Sequence, residues 1–221
     1  MSQLAFVFVG ALVAIHGALR AAWSPCGQSM LASLTPIAER ARGSSWRITV
    51  AAFALGAVGA GALGGATLGA AGSLLPGTGW RPPVVIVVLV AALAIDGTGL
   101  RRRMPLTRRQ VNEDWMARYR GWVYGFGFGA QLGFGFITLV ACAAIYAAFA
   151  IELLSGSALA GAAIGTAFGA TKAATLLPAR KARDPESLLS VHRRLLALEP
   201  GAQRAVLIAE LLALAAVGVL A

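Results

Sequence analysis

The chain has 221 residues, of which 58% are hydrophobic and 13% are charged, and its mean hydropathy is +0.74. Such a composition exceeds what the core of a soluble domain needs and indicates a membrane protein with several spans. The net charge of +10 would suit a nucleic-acid partner. However, the basic residues are sorted by loop, and the sequence contains no nucleic-acid module, phosphate loop or hydrolase motif. We therefore expect the lipid bilayer, and no nucleic acid, as a partner.

Six apolar runs have the length and character of membrane spans. They cover residues 4–38, 48–72, 83–100, 121–152, 157–177 and 204–221. The first run starts without the basic residues of a signal peptide, so we expect it to be a true span. As a straight helix it would reach roughly 52 Å, whereas the hydrocarbon core is about 30 Å thick.

A break is therefore expected inside the first run. Pro25 and Gly27 lie on either side of Cys26, and proline removes a hydrogen-bond donor while glycine relaxes the backbone. Irregular backbone at membrane depth survives only where protein buries it or water lines it. A broken helix that carries a cysteine thus indicates a functional site.

The basic residues fall in alternate loops. They are Arg40, Arg42 and Arg47 after the first span, Arg101, Arg102, Arg103, Arg108, Arg109, Arg118 and Arg120 after the third, and Arg180, Lys181, Arg183, Arg193 and Arg194 after the fifth. The other two loops carry only Arg81 and Glu152. By the positive-inside rule, we expect a multi-pass protein of the cytoplasmic membrane with both termini extracytoplasmic.

The second and fifth spans share a spacing of small residues that lets helices approach closely in lipid, although glycine-rich spans also show it by chance. The matching residues are Gly61, Gly65 and Gly69 in one span and Gly161, Gly165 and Gly169 in the other. The fourth span is also overlong, with a break expected in the run from Gly125 to Gly135. Because each half has an odd number of spans, a repeat of this kind must have inverted topology.

The predicted fold class is an all-α integral membrane protein with six transmembrane helices, arranged as two inverted three-helix repeats whose first helices are interrupted. The predicted units are a first repeat at 1–100, a cytoplasmic basic linker at 101–120 and a second repeat at 121–221. Within the loop after the fifth span, residues 186–199 form either an interfacial helix or a solvated basic linker.

Several ionisable residues lie inside the predicted spans. Arg20 is a candidate for stabilising an anion, either a thiolate or a substrate, and His16 one turn earlier could shuttle a proton or satisfy a backbone group. Asp96, Lys172 and Glu210 lie at similar depth and could form an ionic cluster that locks the bundle or conducts protons. Further hydrogen-bonding residues of the fourth span are Tyr124, Gln131, Thr138 and Tyr146, which more simply bind neighbouring helices.

Two cysteines are too few for a disulfide framework, and together with two histidines they lack the spacing of a metal site. We expect no metal and no cofactor. Regular helices would separate Cys26 and Cys142 by roughly 15 Å along the membrane normal, whereas a disulfide needs Cα atoms within about 7 Å. Either the helix breaks draw the two segments together or the thiols never pair.

Ser24, Pro25 and Cys26, followed by Pro36 in the first of six spans with both ends outside, resemble the CcdA/DsbD-type membrane thiol-disulfide reductants of cytochrome c biogenesis. This resemblance implies an oxidoreductase that carries reducing equivalents across the membrane by thiol-disulfide exchange, from cytoplasmic thioredoxin to extracytoplasmic thioredoxin-like proteins. It implies Cys26 and Cys142 as the catalytic pair, although Cys142 lacks the neighbouring proline of the family.

The alternative is a transporter of a small solute or ion that resembles the LysE superfamily. In that interpretation Arg20, His16 and the broken helices bind the solute, and Cys26 is dispensable. A structural or assembly partner within the membrane is the third hypothesis, which deep charges and broken helices disfavour because they are costly without a use.

Overall fold

The computed structural model describes residues 1–98, 100, 114–135 and 140–220. Every regular element in these ranges is a helix, so the predicted all-α class is confirmed. The helices are α1 (Gln3–Arg20), α2 (Pro25–Ser33), α3 (Pro36–Ala41), α4 (Trp46–Ser73), α5 (Arg81–Thr98), α6 (Trp115–Arg118), α7 (Gly121–Gly133), α8 (Ala143–Ser155), α9 (Ala158–Ala174) and α10 (Pro185–Leu220). Thr138 and the five linker arginines between 101 and 109 lie outside the described residues.

Four of the described helices have the length and apolar composition needed to cross a membrane. They are Gln3–Trp23, which is α1 with a following 3₁₀ turn, Trp46–Ser73, Arg81–Thr98 and Pro185–Leu220. A shorter apolar helix, Ala143–Ser155, ends the predicted fourth span. These helices correspond to five of the six predicted apolar runs.

The first run is interrupted, and its first break lies at Ser24, directly before the expected segment from Pro25 to Gly27. The chain leaves helical geometry at Ser24 and again at Leu34 and Thr35. Pro25 instead begins α2, where its missing N–H is not needed, and the Ser24 hydroxyl accepts from the Gly27 N–H at 3.2 Å. Gly27 allows close packing, since a Cβ there would overlap the Ala21 carbonyl oxygen.

The fourth run is also interrupted, at the C-terminal end of the expected segment from Gly125 to Gly135. Helix α7 continues through Gly125 to Gly133, and α8 starts only at Ala143. The glycines of α7 remain helical because they pack against the backbone of α4, where a Cβ on Gly129 would overlap the Phe53 carbonyl. The chain turns at Gly135, whose φ of +70° favours glycine.

Helix α4 is the centre of the fold and packs along both α7 and α9. The two predicted glycine ridges meet each other in antiparallel register. A Cβ on Gly61 would overlap the Gly165 carbonyl, and a Cβ on Gly65 would overlap that of Gly161. Close backbone approach of this kind provides van der Waals contact that replaces the hydrophobic drive within lipid.

Helix α10 joins two segments that the sequence separates. It runs without interruption over 36 residues and contains Pro200 in its interior. Its start is fixed by Asp184, whose carboxylate accepts from the Ser187 N–H at 2.8 Å. Residues 186–199 are thus helical, as one of the two alternatives expected, and they continue directly into the last apolar segment.

Candidate functional site

The last turn of α1 places a charged side chain against α10. Arg20 is 4% exposed, and its Nε donates to Gln203 Oε1 at 3.0 Å while its Nη2 lies 3.0 Å from Glu199 Oε1. Both partners lie one turn apart on α10, so the planar guanidinium reaches both at once. Arg20 therefore joins α1 to α10 through an ion pair and a hydrogen bond.

Asp96, at the end of α5, fixes the start of α8. Its carboxylate accepts from the backbone N–H groups of Ala143 at 2.9 Å and Ala144 at 3.1 Å. These are two of the N–H groups that a helix leaves without an internal partner, and a negative charge there also suits the helix dipole. The Asp96 carbonyl accepts from Gln203 Nε2 at 3.0 Å, which connects this group to the Arg20 contacts.

Glu210 completes the arrangement from the middle of α10. It is fully buried, its carboxyl faces that of Asp96, and neither of its oxygens is paired with an N–H or hydroxyl donor in the described part of the chain. We call Arg20, Asp96, Glu199, Gln203 and Glu210 the polar core. Two facing carboxyls in apolar surroundings can hold a proton between them, because two neighbouring charges there would repel each other.

The expected cluster of Asp96, Lys172 and Glu210 is only partly formed. Asp96 and Glu210 meet, as described above. Lys172 places its ammonium 5.4 Å from the centroid of the Phe168 ring, a cation–π contact on the same helix. No ion pair joins Lys172 to an acid among the residues that the structure describes.

A second buried network lies at the N-terminal end of α4. Glu39 of α3 is fully buried and accepts from the Tyr124 hydroxyl, which is 2.7 Å from both carboxylate oxygens. The Thr49 hydroxyl donates to Oε2 at 2.6 Å, and Arg42 Nη2 lies 2.7 Å from Oε1. We call these four residues the Glu39 network. It joins α3, α4 and α7.

Sequence reasoning missed Glu39. It named Tyr124 as a hydrogen-bonding residue of the fourth span but assigned it no partner. The only signal was an acid within a basic loop, and such an acid is usually solvated. The position of α3 against α7 depends on a contact between residues that are 85 positions apart in sequence.

Arg81, which the charge pattern left isolated in an extracytoplasmic loop, is 7% exposed. Its guanidinium donates to the carbonyls of Gly72 at 3.0 Å and Leu75 at 3.2 Å, and to that of Ser155 at 3.5 Å. These carbonyls lie at the ends of α4 and α8, where the helix dipole favours a cation. Arg81 thus joins the two helix C-termini.

The two cysteines lie in different hydrophobic clusters. Cys26 packs with Phe53 and Tyr124, and Cys142, immediately before α8, packs with residues of α1 and α5. Both are buried free thiols. In the described structure the two thiols are not bonded to each other.

The other predicted site residues have structural contacts. Pro25 begins α2, as described above, and His16 has its Nδ1 2.8 Å from the Leu12 carbonyl on its own helix. Arg20 has its guanidinium occupied by Glu199 and Gln203 rather than by a thiolate. Arg20 and His16 therefore have their polar contacts with α10 and with α1 itself.

Comparison with known proteins shows similarity to methylamine utilization proteins named MauF. The chain is 32% identical to that of Methylophilus methylotrophus over 180 residues, which are 75% of this chain and 60% of the relative. It is 32% identical to that of Paracoccus versutus over 151 residues, covering 66% and 55%. For Methylorubrum extorquens the identity is 34% over 193 residues, covering 84% and 66%.

The chain spans about half to two thirds of the length of these relatives. No family model matches the chain, and no solved structure matches it. What the similarity supports is accordingly the name and the process shared by the relatives, methylamine utilization.

This similarity overturns the resemblance to CcdA/DsbD-type reductants. The matches extend over most of the chain, whereas that resemblance depended on about 20 residues around Cys26, Pro25 and Pro36. Thiol-disulfide transfer, cytochrome c biogenesis, and thioredoxin or thioredoxin-like partners were wrong predictions. A motif as short as Ser-Pro-Cys recurs in apolar segments because proline at the first helical position and serine before it begin many helices.

The transporter alternative was also wrong, because the same relatives are named for methylamine utilization and not as LysE-type carriers. Among characterised proteins, the chain is thus similar to the MauF methylamine utilization proteins.

Proposed function

We propose that this chain is a multi-pass membrane protein of the MauF group and takes part in methylamine utilization. The observation that carries this proposal is its similarity, at 32–34% identity, to MauF proteins of three bacteria over 151 to 193 residues. The four long apolar helices support a location in the membrane.

The proposed topology has six spans in two inverted three-helix repeats, at residues 1–100 and 121–221, joined by a cytoplasmic basic linker at 101–120. Both termini are extracytoplasmic in this topology. The antiparallel contact of the glycine ridges on α4 and α9 supports the arrangement, since corresponding spans of inverted repeats run in opposite directions. The basic residues in alternate loops support the orientation.

We further propose that the polar core is the part of the chain on which its role in methylamine utilization depends. Burying two facing carboxyls is costly in an apolar environment, and Glu210 is fully buried beside Asp96. Evolution tolerates such a cost more readily where the group is used. Of the predicted site residues, Arg20 belongs to this proposed site.

The test is growth on methylamine. In the organism that carries the gene, its deletion should abolish growth on methylamine while leaving growth on other carbon and nitrogen sources unchanged. The wild-type gene should restore growth. Normal growth of the deletion strain on methylamine would overturn the proposal.

The role of the polar core is tested by Glu210→Gln, which preserves the shape of the side chain and removes its acidic proton. We expect growth on methylamine to slow at least tenfold while the amount of protein in the membrane stays unchanged. Glu186→Gln, in the exposed first turn of the same helix, is the matched control and should grow normally. Full growth with Glu210→Gln would limit Glu210 to a structural role.

A further inference from the structure

Five cationic side chains surround an open cavity of about 840 Å³. They are Arg40, Arg47, Arg180, Lys181 and Arg183. All five are exposed, and none forms an ion pair within the residues that the structure describes. No acidic residue lines the cavity, whose other walls are Pro36, Ser44, Ser45 and Trp46. Its electrostatic potential therefore favours an anion.

The cavity is part of the folded structure and not an accident of loose side chains. Its walls come from α3, from the start of α4 and from the 3₁₀ helix Leu177–Lys181 that follows α9. The Ile37 N–H donates to the Ala182 carbonyl at 3.3 Å, which joins the α3 wall to the opposite wall.

The first turn of α4 opens onto the same cavity. Ser45 precedes this 28-residue helix without a side-chain cap, and no acid lies in its first turn. The N–H groups at this end are consequently available to an anionic oxygen, and the helix dipole adds to the attraction of the five cations.

An apolar groove of about 490 Å³ adjoins the basic cavity and shares Arg180 and Lys181 with it. Its remaining walls are Ala174, Leu177, Pro178, Ser190, Val191, Arg194, Leu195 and Leu198. Leu177 is 50% exposed and Leu198 is 62% exposed, so the described protein leaves the groove open. The Trp23 indole donates to the Leu195 carbonyl at 2.8 Å and fixes the α10 wall.

We propose that the two cavities together bind one anionic phospholipid, with its phosphate among the five cations and an acyl chain in the apolar groove. Because the two cavities share Arg180 and Lys181 as walls, the charged and apolar parts of the ligand would lie next to each other. A lipid has both parts, whereas a free phosphate has only the charged one. The inference depends on the proposed orientation, in which this end of the helices meets the anionic cytoplasmic leaflet.

The proposal is tested by native mass spectrometry of the full-length protein in detergent with phosphatidylglycerol or phosphatidylcholine added. We expect phosphatidylglycerol to bind at least tenfold more tightly. Arg180→Gln combined with Lys181→Gln should weaken it about thirtyfold, since each cation near an anionic lipid surface contributes about 1 kcal/mol. Arg118→Gln combined with Arg120→Gln is the matched control and should bind like wild type. These two arginines line a basic cavity that meets the proposed site only at Ser44 and Ser45 and does not adjoin the groove.

Two further arms separate the sources of the phosphate. Leu198→Ser should weaken phosphatidylglycerol binding, whereas glycerophosphoglycerol without acyl chains should not compete at equal concentration. Any one of four results would overturn the proposal. They are equal binding of both lipids, an equal loss of lipid binding in the control variant, full competition by glycerophosphoglycerol alone, and full competition by a short RNA. This readout does not involve methylamine, so a negative result leaves the proposed function standing, and a failed growth test leaves the lipid site standing.

Discussion

Glu39 is the buried charge with the most complete set of partners in the described structure. The Glu39 carboxylate accepts hydrogen bonds from the hydroxyls of Tyr124 and Thr49 and from the guanidinium of Arg42. Hydrogen bonds to a charged group contribute more than neutral ones, and each becomes costly when one partner is removed. Helices α3, α4 and α7 consequently depend on one side chain for their mutual position.

Glu39→Gln should lower the free energy of unfolding by about 2 kcal/mol, because the amide keeps the shape but loses the charge that Arg42 and the hydroxyls bind. Tyr124→Phe should cost about 1 kcal/mol. The measurement is unfolding of the purified protein in SDS-containing mixed micelles. If the double variant loses as much unfolding free energy as the two single variants together, the two residues are not coupled.

Arg20 joins two helices by a different geometry, the planar fork of its guanidinium. Arg20→Lys keeps the charge but cannot reach Glu199 and Gln203 together, so we expect a loss of about 1 kcal/mol in the same unfolding measurement. Glu199→Gln is the companion variant. Since Glu199 is 44% exposed, its loss should be smaller, and a larger loss would show that the ion pair dominates the contact.

At the scale of elements, the position of α4 depends on the absence of side chains. Gly61 and Gly65 approach the carbonyls of Gly165 and Gly161 more closely than any Cβ allows. Alanine at these positions would force the two helices apart and reduce van der Waals contact along the crossing.

Gly61→Ala should therefore destabilise the protein by about 1–3 kcal/mol, the usual range for overpacking. Gly59→Ala, two residues earlier on the exposed side of α4, is the matched control, since nothing lies within 4 Å of a Cβ there. It should cause no loss, because alanine favours helix over glycine. Equal effects of the two variants would contradict close packing at Gly61.

At the scale of the whole molecule, the proposed orientation can be measured directly. Alkaline phosphatase, which is active only outside the cytoplasm, should be active when fused after Leu220 and inactive when fused after Arg183. The physical reason is that basic loops resist translocation across the membrane. Activity at Arg183 would reverse the orientation and would also remove the basis for an inner-leaflet lipid.

Several features of the fold could be predicted from the sequence because they depend on local composition. Apolar runs gave the helical class and the long helices, overlong runs indicated that two helices are broken, and the glycine spacing marked α4 and α9 as closely packing helices. The breaks fall at the edges of the expected segments, since Pro25 begins a helix and the glycines of α7 up to Gly133 remain helical against α4.

The candidate site was decided by tertiary structure. Sequence indicated that Arg20, Asp96 and Glu210 lie deep in apolar segments, but not that Asp96 caps α8 or that Glu199 and Gln203 meet Arg20. Pairings across more than 40 residues depend on how helices rotate and cross, and small residues set that geometry without specifying which polar groups meet. The sequence by itself thus determined that Arg20, Asp96 and Glu210 lie deep in apolar helices. Only the fold determined their partners and the burial of Glu39 and Arg81.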